Sequence, residues 1–467
     1  MPPKKRFLRM EKDDLIWEKL EEDVDEWNRS IRTNELYHAV ANMILKYTSK
    51  DGQPMQLHTP VWGAYNKVYR LEYKDGSSVV MRVPMQGAVQ FPEEKIRYEV
   101  ATIRHIATHT TIPVLHIYHH RTAAENPTGL GPFIIMDYID HHQNMSRALA
   151  DPGRDIGERP VLDPNITEGK LELLYGQIAN ILLQLSTLKF PRLGSLMEEE
   201  GVGSVSVGGR PLISNMNDIV QHINAPEEIL PSPSQSYSSA HEWYSSLADM
   251  HMAQLALQHN DAVEDEEDAR DKYVARQLFR NLAQPTKTEG DFRLFSEDLR
   301  PANVLLDENI RVVGVIDWEF AYAAPAQYSF DPPWWLLIKE PEWTDSGYHE
   351  WMKAYKPRLQ TFLRVLEAEE AKIAATDLAD TGKQTWLLNY AARKSWAFDY
   401  VWWKFLDEQY FGPNEDQDYK IRLALLSEPQ RKAMESFVAR KMEGSKDRKI
   451  VMWEKQDAAD RLAEVLI

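Results

Sequence analysis

The chain has 467 residues, of which 43% are hydrophobic, with 14 Trp, 20 Tyr and 14 Phe, and this composition excludes a disordered polymer. It carries 54 Lys and Arg against 72 Asp and Glu; the net charge of −18 argues against nucleic acid or an anionic membrane as the main partner and accommodates a cationic ligand. There is no cysteine, so disulfides, thiolate nucleophiles and sulfur-ligated zinc are excluded.

The basic start, MPPKKRF, runs into the acidic, amphipathic MEKDDLIWEKLEEDVDEW. It lacks the apolar centre of a signal peptide and is too acidic for a mitochondrial presequence. No stretch approaches the ~20 apolar residues of a membrane span, so a soluble, cytoplasmic protein with no membrane partner is expected. Residues 1–54 read as a helical extension closed by the DGQP turn at 51–54. From there the period changes: VYRLEY and SSVVMRVP flank KDG as a β-hairpin. FPEEKIRYEVATIRHIATH follows as a helix, with Pro92 suited to its first turn and Glu93 and Glu94 to its dipole. GPFIIMDYI is an apolar run bounded by Gly-Pro, hence a buried strand. Beyond residue 141 helices dominate, at 168–189, 239–259, 266–284, 346–375, 384–408 and 427–443. Between them, a Gly-, Ser- and Pro-rich stretch at 194–236 reads as a long irregular insertion. The pattern predicts an α+β, bilobal architecture. A β-rich small lobe (55–140) precedes a larger helical lobe (141–430) with one embedded hairpin, and a helical tail (431–467) follows.

The chemistry gathers in FSEDLRPANVLLDENIRVVGVIDWEF, residues 295–320. VLL (304–306) and RVVGVI (311–316) are β-rich runs joined by DEN and should pair antiparallel. Asn303 enters that hairpin and Asp317 leaves it, which brings both to one end, within reach of one ion. A carboxylate and an amide oxygen suit Mg2+, which keeps several waters and takes further ligands from phosphates. Asp298, in a loop stiffened by Pro301, stands close enough to accept a proton from an attacking hydroxyl. D-x-x-x-x-N followed by a strand-borne Asp is the kinase arrangement of base, metal-binding Asn and metal-binding Asp. DLRPAN is also close to the protein-kinase DLKPEN, which puts Arg300 where that family has a lysine on the transferred phosphate.

A kinase also needs a cation for the nucleotide phosphates, tethered by a helical carboxylate. Arg82 interrupts the apolar run VVMRVP, and Glu99 falls within the inward stripe Ile96, Val100, Ile103, Ala107. Each is out of place alone, and an Arg82–Glu99 pair resolves both. WGAYNKVY (62–69), with Gly63 and Asn66, occupies the place of a phosphate-covering loop. IMDYI (135–139) is placed as the inter-lobe hinge, where the backbone of Asp137, Tyr138 and Ile139 would meet adenine. Other clusters read as structure: His105 and His109 lack the Glu of H-E-x-x-H, EDEED (264–268) is a solvated helix start, and Trp396, Tyr400 and Trp403 at helical spacing are core.

On GAYNKVYRL, VVMRVP, YEVATIRHI, FIIMDYI, LRPANVLLDENIRVVGVIDWEF and DPPWWLL, the chain resembles the aminoglycoside phosphotransferase and choline kinase-like superfamily, in particular its fungal branch. IDWEF is the sharpest match, since that superfamily has Ile-Asp-Trp/Phe-Glu where protein kinases have Asp-Phe-Gly. The resemblance implies a kinase-like bilobal fold and transfer of phosphate from Mg-ATP to a hydroxyl of a small molecule. Only thirteen residues separate Asp317 from Asp331, and FAYAAPAQYSF has no A-P-E, which disfavours a protein substrate. The acceptor is then expected among the large-lobe helices, with 194–236 as a lid. Two departures stand out. Ser296 replaces the first residue of the superfamily's H-x-D, a histidine understood to brace the loop, and Arg82 replaces a lysine. The loss of the brace motivates the alternative of a catalytically silent, nucleotide-binding scaffold.

Overall fold

The computed structural model describes residues 10–48, 52–155, 157–199, 203–283, 291–343, 347–373 and 386–467. The basic MPPKKRF start lies outside them, as does part of the DGQP turn. Two helices lead in, α1 (Asp14–Ser30) and α2 (Asn34–Tyr47). Six antiparallel strands then form the small-lobe sheet: β1 (Pro54–Leu57), β2 (Val61–Trp62), β3 (Asn66–Tyr73), β4 (Ser78–Pro84), β5 (Ile117–Arg121) and β6 (Phe133–Asp137). Their order is β1-β3-β4-β6-β5, with β2 paired to β3. The tight β3–β4 connection uses Gly76 at φ 85°, a conformation that costs a side-chain-bearing residue.

All seven residues of β4 are buried, because both faces of the sheet are covered. Val79, Met81 and Val83 pack with Val40, Met43 and Ile44 of α2. Val80 turns the other way, toward Ile96, Val100 and Ile103 of α3 (Pro92–His109). Period-2 alternation therefore sends Arg82 to the α3 side.

The large lobe opens with β7 (Gln143–Asn144), α4 (Met145–Leu149) and α5 (Glu168–Ser186), then β8 (Lys189–Phe190). Residues 194–236 are more regular than their composition predicts. They form the hairpin β9 (Ser195–Glu198) and β10 (Val205–Gly209), then α6 (Ser214–Ile223). This unit is docked on α3: the Arg210 guanidinium grips Glu94 at 2.9 and 2.7 Å, and Gly209 lies against the Tyr98 ring. Next come α7 (Ala240–Leu257) and α8 (Glu266–Leu282), whose acidic first turn is capped by Asp265.

The predicted hairpin is the inner of two nested pairs. β11 (Phe292–Ser296) pairs with β14 (Ala321–Pro325), and within that frame β12 (Val304–Leu306) pairs with β13 (Val312–Val315). After α9 (Ala326–Ser329) and α10 (Gly347–Ile373), the helix expected over 384–408 is broken into α11 (Trp386–Ala392), α12 (Phe398–Val401), a π-turn at Trp402–Leu406 and α13 (Asp407–Phe411). The break falls where Asn215 captures Ser395, accepting from its N–H at 3.0 Å and donating to its hydroxyl at 2.9 Å. Trp396, Tyr400 and Trp403 are core residues. The chain ends with α14 (Glu428–Gly444) and α15 (Lys455–Ala463).

Helix α1 touches both lobes. At its start, Asp13 is fully buried, caps the helix and accepts from Asn260 of the large lobe at 2.9 Å. Near its end, Asn28 accepts from the buried Lys67 of β3 at 2.7 Å. Among the described residues no helix is long and apolar enough to cross a membrane.

Candidate active site

The nested strand pairs set the geometry. With Ser296 opposite Ala321 and Val304 opposite Val315, residues 297–303 and 316–320 are forced side by side. Backbone bonds from Glu297 N–H to the Phe320 carbonyl (3.1 Å) and from Ile316 N–H to the Asn303 carbonyl (3.0 Å) tie them together. Asn303 donates to the Asp298 carbonyl (2.8 Å) and carboxylate (2.9 Å), while Arg300 Nε donates to the other carboxylate oxygen at 2.6 Å. Asp298 is thereby held in one orientation.

Asp317 leaves β13 at φ 61°, a left-handed conformation that aspartate tolerates better than most residues. Its Oδ1 accepts from Arg82 at 2.9 Å, and the same guanidinium pairs with Glu99. One buried arginine thus joins the sheet, the α3 carboxylate and the strand-borne aspartate. Burial pushes the Asp317 carboxyl up to about 6, with the neighbouring Glu319 adding and Arg82 opposing.

Among the described residues, Asn303 Oδ1 and Asp317 Oδ2 accept no hydrogen bond, and buried Arg82 Nε donates none. A carboxylate and an amide oxygen left without protein partners fit a hard divalent ion, which Asn303 and Asp317 would hold. No cluster of three or more acidic or histidine ligands occurs among the described residues, so most ligands of such an ion would come from nucleotide and water.

A second ionic centre lies beside the first, and sequence reasoning missed two of its three members. Lys95 Nζ lies 2.8 Å from Glu319 Oε2 and donates to Asn66 Oδ1 at 2.9 Å; Asn66 Nδ2 closes the triangle on Glu319 at 2.8 Å. All three residues are buried, so the charges rely on each other. Two signals were available: Lys95 precedes Glu99 by one helical turn, and Glu319 belongs to IDWEF.

The remaining candidates divide. Asn66 engages both ends of its amide in the triangle, which leaves one N–H of its Nδ2 group unused. Gly63 donates its N–H to the Asn66 carbonyl at 3.0 Å, and nothing lies within 4 Å of where its Cβ would be, so packing does not require glycine there. In the hinge, Asp137 N–H donates to the His116 carbonyl (3.0 Å) and Tyr138 N–H to that of Ser78 (3.3 Å). The Ile139 carbonyl accepts from His141 Nδ1 at 2.9 Å. These three backbone groups are therefore engaged within the protein. Ser296 is 6% exposed and its hydroxyl has no partner. The neighbouring Glu297 is held by Ser214 and Tyr322, at 3.3 and 3.2 Å.

Compared with known proteins, the chain is 26% identical over 140 residues to a subtelomeric hrmA-associated cluster protein of Aspergillus fumigatus, covering 30% of this chain and 24% of the relative. Its counterpart in a second strain is 26% identical over 136 residues, 29% and 23% of the two chains, so each match spans about a quarter of the relative. Among solved structures, a macrolide 2'-phosphotransferase type I shares 13% identity at a TM-score of 0.39, covering 84% of this chain and 96% of that one. The amicoumacin kinase hAmiN, solved with AMP-PNP and Ca2+, shares 13% at 0.38, covering 91% and 98%. Residues 58–368, more than half of the chain and the whole of the site just described, match the family called Phosphotransferase enzyme family, and the protein belongs to it.

Proposed function

We propose that the protein is an ATP- and Mg2+-dependent phosphotransferase acting on a hydroxyl of a small molecule. The observation that carries this reading is the single guanidinium of Arg82, shared between Glu99 and Asp317, across from an Asp298 already oriented by Asn303 and Arg300. In it, Asp298 holds the acceptor hydroxyl and takes its proton as the oxygen attacks. Arg82 grips the nucleotide phosphates, with Glu99 fixing its fork. Arg300, whose side chain is 43% exposed, turns from Asp298 to the moving phosphoryl group and offsets its charge. Asn303 and Asp317 would hold the metal, which when bound neutralises charge on the phosphates. The setting is cytoplasmic, where ATP is supplied, and the acidic surface favours an amine-bearing acceptor.

Mg-ATP hydrolysis and Mg-ATP thermal stabilisation, measured for wild type, Asp298→Asn and Asp317→Asn, test the reading. Wild type should turn over ATP in the presence of a suitable alcohol. Asp298→Asn should keep the thermal stabilisation and lose turnover about 10²–10⁴-fold, and Asp317→Asn should lose both. A wild type that ignores Mg-ATP across a broad panel of alcohols would end the enzyme reading. Stabilisation without turnover, lost in Asp317→Asn, would favour the silent scaffold.

A further inference from the structure

The catalytic loop has a second set of neighbours, which includes neither Arg82 nor Asp317. There Ser296 and Glu297, but not Asp298, line a pocket with Asp331, Trp334, Trp386 and Arg393. Its atom-free space, counted together with the part open to solvent, is about 720 Å³. Its lining is mainly aromatic and aliphatic, with few charges.

Those charges do not balance. Glu297 is served by Tyr322, Ser214 and, at 3.8 Å, by Arg393, whose guanidinium lies over the Phe295 and Tyr328 rings at 4.7 and 4.8 Å. Asp331 has no such partner. Its two oxygens accept only from the neutral amide of Asn389, at 2.9 and 2.8 Å, and among the described residues no cation lies within ion-pair distance. Burial pushes its carboxyl up to about 7, with the Asn389 amide and the more distant Arg393 charge opposing. Ser296 lines the same space, and its buried hydroxyl has no partner. An under-compensated carboxylate and an orphaned hydroxyl among tryptophan faces call for one kind of occupant: a flat group carrying a positive N–H donor.

We propose that this pocket binds a small ring-bearing amine or amidine as an effector, seated beneath the catalytic loop and apart from the place where nucleotide and acceptor meet. The ammonium pairs with Asp331, the ring stacks on Trp334 or Trp386, and the Ser296 hydroxyl gains a partner. Occupancy stiffens the end of β11 at Ser296 and, through it, the loop that carries Asp298. The effector role rests on the phosphotransferase reading; the amine site does not.

The full chain, titrated calorimetrically with benzylamine, benzamidine and the uncharged benzyl alcohol, tests this. Benzylamine and benzamidine should bind at least ten-fold tighter than the alcohol, and Mg-ATP should not displace them. Asp331→Asn should weaken benzylamine at least ten-fold. Trp386→Ala, which also lines the pocket and is independent of that carboxylate, should weaken it several-fold, with melting curves confirming that both variants are folded. No heat from benzylamine at 10 mM, equal binding of the alcohol, or indifference to both substitutions would overturn the site. Displacement by Mg-ATP, or phosphate transfer to benzyl alcohol, would make the pocket part of the reaction centre and overturn the effector role. Benzylamine binding by a protein that neither binds nor hydrolyses Mg-ATP would leave the amine site standing and remove the kinase reading on which the effector role depends.

Discussion

Asp317→Asn should make the ligand-free protein more stable while abolishing its response to Mg-ATP. A carboxyl that titrates near 3.8 when unfolded and at about 6 when folded is penalised for ionising in the native state. At 1.36 kcal/mol per pH unit the penalty reaches about 3 kcal/mol above pH 6. The side chain keeps 31% of its surface in solvent, so water screens part of this and about 2 kcal/mol is the working figure. Because the folded value is raised, the wild-type contribution is most favourable below the unfolded pKa and is lost as pH climbs from about 4 to about 6. Asparagine mimics the protonated side chain at every pH, and Arg82 still has Glu99. The variant should therefore exceed wild type by about 2 kcal/mol at pH 7.5 and match it near pH 4. Urea unfolding at pH 4.5, 6 and 7.5, with and without Mg-ATP, measures both quantities. A variant less stable than wild type at pH 7.5, or a gap that does not close in acid, would refute the account of Asp317 as a carboxylate penalised by burial.

Lys95→Met should cost about 3–5 kcal/mol by stranding Glu319, and the Lys95→Met/Glu319→Gln double variant should recover most of it, read from denaturant midpoints. Gly209→Ala drives a methyl into the Tyr98 hydroxyl and ring. It should cost about 1–3 kcal/mol and expose the β9–β10 hairpin to protease, while Gly63→Ala, in open space, should be nearly neutral. Asn28→Ala removes the acceptor of the buried Lys67 ammonium. It should cost about 1–3 kcal/mol and speed amide exchange in β2 and β3, which flank the 62–66 loop.

The parts of the site legible in the sequence were those where a residue broke a regular pattern. Arg82 stood out because it interrupts an apolar strand, and Glu99 because it sits in an apolar helical stripe; burial from both sides brings them together, with Arg82 also reaching Asp317. Asn303 and Asp317 were legible because a hairpin places its ends together whatever surrounds it. Lys95 was not, because PEEK at a helix start is normally solvated. Its burial is decided by Asn66 and Tyr65 folding over it from a distant strand, with Tyr65 in turn against Phe320, rings 5.5 Å apart. The β11–β14 pair was missed for a related reason. DFRLFS carries charge and AYAAPA is alanine-rich, so neither has strong strand propensity, and tertiary pairing overrides that. The hairpin within 194–236 was hidden by its Gly and Ser content, which reads as loop until α3 offers a surface to dock on.

The missing histidine at position 296 looks different once the fixings of the loop are traced. The loop is joined to the 316–320 segment by Glu297 N–H on Phe320 and Ile316 N–H on Asn303. It is closed on itself by the two Asn303 bonds to Asp298 and anchored outward by Glu297 on Ser214 and Tyr322. None of these bonds uses the side chain of residue 296. On the far side, the Lys95–Glu319–Asn66 triangle fixes the segment just after Asp317 to α3 and to the start of β3. An imidazole at 296 would brace a loop that backbone and carboxylate bonds already hold, so a serine there can be tolerated without loss of the geometry around Asp298. What the serine adds is space: a hydroxyl instead of a ring borders the pocket beneath the loop. The substitution that first suggests a defective site thus bears less on Asp298 than on what can bind behind it.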